Sequence, residues 1–142
     1  MNRSVVRTHE ERGQETLHSA CSDECGRGMS HLATFICAAG DRWLGLASGG
    51  RCDDHEGVEL FSLWVTPSHR SQGIAKRLTS AIVNWARAAG DKFVWCWVAA
   101  DNAAAIRLYK ILNFHSTGRT KLSPPHMSGT LVLMVRPTET LD

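Results

Sequence analysis

The sequence predicts a mixed α/β domain, a central sheet flanked by helices, and three observations carry that expectation. Apolar runs of five to eight residues recur along the chain between Gly, Asp and Pro: TFICAA, WLGLA, VELFSLWV, FVWCWV and TLVLMVR. Two stretches between the later runs change to the helical period, with apolar residues three and four apart. The chain has 142 residues, 43% of them apolar, which suffices for one compact core, and no segment repeats.

The elements follow in order. Residues 1–31 are polar and weakly patterned, with a short helix over 10–20 the only local candidate. TFICAA (34–39), the turn signal Gly40-Asp41 and WLGLA (43–47) read as a hairpin. SGGRCDDHEG (48–57) has the composition of a loop, and VELFSLWV (58–65) is a strand closed by Thr66-Pro67. From Ala75, Leu78, Ala81, Ile82, Trp85 and Ala89 recur on one helix face. Lys76, Arg77, Asn84 and Arg87 are left for solvent, and Gly90 stands at the C-terminal cap. FVWCWV (93–98) is apolar on both faces, as a central strand must be. Asp101 or Asn102 can cap a second helix, AAAIRLYKILN, with Ile106, Tyr109 and either Ile111 or Leu112 facing inward. FHSTGR and TLVLMVR close the sheet around a Pro-rich loop at 123–125. The domain expected to fold is 32–137, preceded by the segment 1–31 and followed by a tail at 138–142.

Composition excludes several function classes. A formal net charge of +2 does not point to nucleic acid or membrane. No apolar stretch approaches the roughly 20 residues of a membrane span, and the N-terminus lacks the apolar core of a signal peptide. Five cysteines without a disulfide-scaffold spacing, two of them (Cys37 and Cys96) inside apolar runs, suggest a reduced, cytoplasmic chain. His18, Cys21, Cys25 and His31 lack the second well-spaced pair of a zinc knuckle, so no metal is expected.

The passage VTPSHRSQGIAKRL (65–78) is the most informative. It carries the chain from a strand end to a helix N-terminus, where backbone N–H groups have no intrahelical partner and the helix dipole favours an anion. Gly73 lets a ligand approach the backbone, and Arg70, Lys76 and Arg77 add positive charge. A diphosphate cradle and an ordinary basic helix start both fit these residues. Neither a Walker phosphate loop nor a GxGxxG fingerprint occurs.

RSQGIA (70–75) resembles the pyrophosphate-binding motif Gln/Arg-x-x-Gly-x-Gly/Ala of the GNAT superfamily of acetyl-CoA-dependent N-acetyltransferases. NAAAIRLYKILNF (102–114) is similar to that family's downstream signature, an Asn, a Tyr seven residues later and a closing Asn-Phe. The resemblance covers roughly residues 34–136. It implies a mostly antiparallel mixed sheet whose fourth and fifth strands splay to admit acetyl-CoA. By that likeness, backbone groups of Leu63, Trp64 and Val65 hold the pantetheine arm. The turn and first helical turn, Arg70, Ser71, Gln72, Gly73, Ile74, Ala75 and Lys76, hold the pyrophosphate, and Asn102 meets the pantetheine or acetyl end. Tyr109, the chain's single tyrosine, occupies the general-acid position; a phenol of pKa about 10 stays protonated at neutral pH and can donate to a departing thiolate. A core tyrosine is the plainer reading of the same residue.

Glu59, six residues before Val65, matches a catalytic or water-relaying glutamate of several members, and burial beside Leu60 and Trp64 would raise its pKa; a solvent-facing strand-edge glutamate is the alternative. Other members carry a glutamate where Trp97 stands, which weakens a ribosomal-protein-acetylating assignment. Trp64, Trp95 and Trp97 are expected in the core rather than in acceptor-pocket walls. Asp53, Asp54 and Glu56 form an acidic loop, read as solvated, and His69 a loop residue near phosphate. The family's opening strand is expected to be lost or reduced to a few residues such as SVVRT (4–8).

The function expected is direct transfer of acetyl from acetyl-CoA to an amine, with a small-molecule acceptor favoured over protein, no nucleic-acid or membrane partner, and a homodimer compatible with the sequence. A covalent route through cysteine lacks an activating context. A catalytically inactive acyl-CoA-sensing module is the alternative from another class; a nucleic-acid binder built on the helix after Ala75 has too few exposed basic positions.

Overall fold

The computed structural model describes residues 5–11, 29–52, 56–123 and 129–139. Seven strands and two helices follow in the order β1 (Val5–Glu11), β2 (Met29–Ala39), β3 (Arg42–Cys52), β4 (Val58–Val65), α1 (Ile74–Ala88), β5 (Phe93–Ala99), α2 (Ala103–Ile111), β6 (His115–Leu122) and β7 (Thr130–Pro137), with a 3₁₀ turn at Pro67–His69. They form one sheet of order β1-β2-β3-β4-β5-β7-β6. Every pairing is antiparallel except β4–β5.

That parallel pairing is short. Only Val58↔Val94 and Glu59↔Trp95 are in register, whereas β5 and β7 stay paired from Phe93↔Pro137 to Ala99↔Leu131. Beyond Glu59 the two strands diverge, as the family resemblance implies for the fourth and fifth strands. A register shift between Ser48 and Gly49 leaves Phe61 without a partner in β3. This bulge reverses the alternation of β4: Val58 and Leu60 lie in the core before it, and Leu63 and Val65 pack on the core after it.

α1 places Ile74, Leu78, Ile82, Val83 and Ala86 on the sheet, and Leu78 and Ile82 are fully enclosed. They meet Phe35, Cys37, Ala47, Val58, Leu60, Val94, Cys96 and Met134 in one apolar cluster. α2 joins the same cluster through Ala105, Ile106 and Tyr109, followed by Leu112 and Phe114. α1 ends in a Schellman motif, with Asp91 N–H donating to the Ala86 carbonyl (2.9 Å) and Gly90 N–H to that of Arg87 (3.0 Å). Buried Arg136 of β7 donates to the Leu112 carbonyl (3.0 Å), tying the end of α2 to the sheet. Arg51, at the far end of β3, pairs with Asp91 and stacks over the Trp85 ring, 5.4 Å from its centroid. Among the described residues no helix is long and apolar enough to cross a membrane.

Several sequence expectations change. Ser48–Cys52 is strand, not loop. Gly49 serves packing: a Cβ there would meet Val58 Cγ1 at 3.1 Å and Ile82 Cδ1 at 3.2 Å, tighter than ordinary contact, so the missing side chain eases the approach of α1. Glu10 and Glu11 belong to β1, not a helix, and the remainder of the helix expected over 10–20 lies outside the described residues. The opening strand is longer than SVVRT, pairing Val5↔Ala38 through Glu11↔Leu32. Ala89 is exposed, and Leu112 rather than Ile111 faces inward, Ile111 being 71% exposed. The Pro pair at 124–125 lies outside the described residues.

Candidate active site

The site begins with backbone. The chain leaves β4 at Val65, makes the 3₁₀ turn and enters α1 through Arg70–Gly73. Ser71 (φ 65°) and Gly73 (φ 78°) both take left-handed conformations, which cost a non-glycine residue such as Ser71 about 1–2 kcal/mol. Alternation of this kind turns successive N–H groups to one side, the geometry of an anion nest. α1 has no side-chain N-cap, and its first backbone bond is Arg77 N–H to the Gly73 carbonyl (3.1 Å). The N–H groups of residues 71–76 therefore find no backbone acceptor among the described residues. A Cβ on Gly73 would meet nothing within 4 Å, so the approach to this backbone is open. Arg70 and Lys76 are exposed at its rim, and Arg70 Nε donates to the Val65 carbonyl (3.3 Å), fastening the turn to the strand end. Ser68 Oγ and His69 Nδ1 share a hydrogen bond of 2.8 Å within the 3₁₀ turn.

The turn opens onto the diverging strands. Along β4, successive residues aim their backbone groups at opposite neighbours. Trp64 is spent on the β3 side, where its carbonyl lies 2.7 Å from the position of a Gly45 Cβ, and Thr66 N–H likewise donates to the Leu44 carbonyl (2.7 Å). The groups of Leu63 and Val65 thus form the edge that faces the cleft.

Tyr109 of α2 packs on the main apolar cluster, near Cys96 of β5. It is half-buried, packed edge-on against Phe114 with centroids 5.3 Å apart. Burial, and secondarily the Cys96 thiol, push the Tyr109 pKa above that of a free phenol. Burial, and secondarily the Glu59 carboxylate, push the Cys96 pKa up as well. Cys96 therefore lies within electrostatic reach of both Glu59 and Tyr109. Glu59 itself is 2% exposed, at the last paired step before the strands part, and not at a solvent-facing edge. Asn102 is exposed and uses its side-chain oxygen to accept from Ala105 N–H (3.0 Å), capping α2.

A second hollow lies on the other face of the same strands. Val94, Cys96 and Val98 point into the core, and alternation sends Phe93, Trp95 and Trp97 the opposite way. These three rings, with Leu133 and Val135 of β7, wall a cavity of about 240 Å³. Glu56, Thr117 and Arg119 stand at its edges. The tryptophans are thus not part of the main core: Trp64 is 45% exposed, and Trp95 and Trp97 form a satellite cluster with Leu133 and Val135. The reason is strand alternation, which the unbroken apolarity of FVWCWV hides. Glu56 lines this cavity; Asp53 and Asp54 lie outside the described residues, as do His18, Cys21 and Cys25. Of the described residues, no group of three or more His, Cys, Asp or Glu could hold a metal ion. Sequence reading missed Thr117 and Arg119, because β6 is exposed along nearly its whole length and looks like an ordinary polar strand.

The acetyltransferase (GNAT) family profile matches residues 4–114. The chain is 29% identical over 96 residues to aminoglycoside N(6')-acetyltransferase type 1 of Salmonella typhimurium, covering 63% of this chain and 66% of that protein. It is 31% identical over 121 residues to mycothiol acetyltransferase of Nocardiopsis dassonvillei, covering 80% of this chain but 37% of that protein. The structure of yncA from Salmonella typhimurium, solved with its cofactor acetyl-CoA, superimposes with a TM-score of 0.63 at 23% identity, covering 83% of this chain and 68% of that one.

Proposed function

We propose that this chain, which belongs to the acetyltransferase (GNAT) family, transfers the acetyl group of acetyl-CoA directly to an amine, with a small molecule as acceptor. The observation that carries the reading is the split between β4 and β5 opening beside the amide-rich turn at 71–76. A diphosphate satisfies those amides and balances Arg70 and Lys76. Gly73 admits it to the backbone. The cleft edge of Leu63 and Val65 offers the pantetheine amides the hydrogen bonds that a neighbouring strand would; Trp64, turned to β3, contributes none. Asn102, its oxygen engaged in the cap, has its amide N–H groups for the same arm.

In the reaction the amine nitrogen attacks the thioester carbon, a C–N bond forms and the C–S bond breaks. Glu59 takes the proton the amine must lose, directly or through water. Tyr109 gives its phenolic proton to the departing thiolate, and its raised pKa keeps that proton in place at neutral pH. The test is calorimetry with acetyl-CoA followed by measurement of thiol release across an amine panel. Binding with amine-dependent release is expected. Binding without release from any amine would make the chain an acyl-CoA sensor, and folded protein that ignores acetyl-CoA would overturn the reading altogether.

A further inference from the structure

The cavity behind the cleft has a chemistry of its own. Its walls are aromatic and aliphatic: Phe93, Trp95 and Trp97 from β5, Leu133 and Val135 from β7. It borders the point where β4 and β5 part, since Trp95 is the partner of Glu59 in the last paired step. At about 240 Å³ it lies below the range of roughly 300–1,000 Å³ common for drug-sized ligands, so its occupant is small.

Charge narrows the occupant further. Arg119 lines the cavity, is exposed, and its guanidinium makes no hydrogen bond or ion pair among the described residues. The Lys121 ammonium, on β6, stands 4.4 Å from the centroid of the Trp97 ring of β5. Glu56 is the one carboxylate lining the cavity. The indole N–H of Trp97 is buried and has no hydrogen-bond acceptor among the described residues. The Arg119 guanidinium, beside an indole donor without an acceptor among the described residues, suits a ligand that brings its own anion. A guanidinium fork is the group that grips a carboxylate by two hydrogen bonds.

We propose that this cavity is the acceptor site and takes an amine borne on a small apolar or aromatic skeleton with a carboxylate, that is, a hydrophobic amino acid or a close derivative. The carboxylate pairs with Arg119, the side chain lies against Trp95 and Trp97, and the amine is turned toward the parted strands. A polyamine or a polycationic sugar would instead press several ammonium groups against Arg119. The proposal rests on the acetyl-transfer reading for its amine, but the cavity can be probed without turnover.

The experiment titrates N-acetyl-L-phenylalanine and its methyl ester into the protein in the presence of CoA, by calorimetry. In parallel, thiol release from acetyl-CoA is followed with phenylalanine, phenethylamine, spermidine and an aminoglycoside. The free acid should bind at least tenfold more tightly than the ester, and phenylalanine should exceed phenethylamine by a similar factor in kcat/KM. Arg119→Gln should erase both preferences while Arg119→Lys keeps part of them. Equal binding of acid and ester, preferences unmoved by Arg119→Gln, or a best rate with spermidine or the aminoglycoside would overturn the acceptor class and leave acetyl transfer standing. Carboxylate-dependent binding without thiol release from any amine would uphold the cavity and count against acetyl transfer alone.

Discussion

The two faces of the central sheet are built from different residues for different ends. Under α1 and α2 the sheet presents aliphatic side chains and small residues, Ala33, Ala47, Val58, Val94 and Cys96, each at most 1% exposed. On the other face the same strand, β5, presents Phe93, Trp95 and Trp97, of which Phe93 is 42% exposed, around a hollow edged with charge. A closed aliphatic layer maximises buried area and tolerates no gaps. Rigid rings with polar tips leave a shaped space. The lesson is that one strand builds the closed core with its even residues and lines an open hollow with its odd ones.

Substitutions should separate these roles. Tyr109→Phe has the largest expected effect on chemistry: kcat falls by about 10²–10⁴ through loss of a general acid, while acetyl-CoA affinity by calorimetry stays near wild type. Equal losses in both would make Tyr109 structural. On the helix-covered face, Leu78→Ala should cost about 2–5 kcal/mol in denaturant unfolding and leave acceptor selectivity unmoved; altered selectivity would show the faces to be coupled.

Gly73→Val imposes a branched side chain on a left-handed residue and crowds the open backbone. Acetyl-CoA affinity should fall by at least about tenfold, each 1.4 kcal/mol being a factor of ten, and unchanged binding would remove the amide nest from the account. Glu59→Gln should flatten the acidic limb of the kcat/KM profile with little effect on kcat at high pH; a limb that persists unaltered assigns the proton to water alone.

The smallest effect is alkaline. Folding raises the pKa of Cys96 above 9.0 and that of Tyr109 above 10.0, so the unfolded chain loses these protons first. Stability is then intact below about pH 9 and declines as pH rises through the unfolded-state values. Chemical denaturation at pH 8 and pH 10.5 should register the decline, smaller in Tyr109→Phe; no difference between the variants would place Tyr109 in a more solvated setting.

Much of this was legible in the residues. The strand at 58–65 agrees with its apolar run to the residue, and the capping by Asn102 and the cap at Gly90 were visible in side-chain chemistry. The motif RSQGIA marked the turn whose amides lack backbone acceptors. Other features were hidden. Ser48–Cys52 looked like loop because composition cannot tell a glycine that turns from one that makes room for α1. FVWCWV could not reveal which of its rings were core, nor HSTGRTKL that Arg119 borders a cavity.

Local pattern alone thus determined the order of the two helices and of the strands from 34 onward, and marked the turn at 70–75, Tyr109 and Glu59 as candidates, because period, caps and short motifs are properties of neighbours in sequence. Only the folded sheet decided where β4 leaves β5, which backbone edge faces the gap, and which side chains of β5, β6 and β7 meet although they are distant in the chain. Those depend on strand register, and register is settled by long-range packing of one face against the helices.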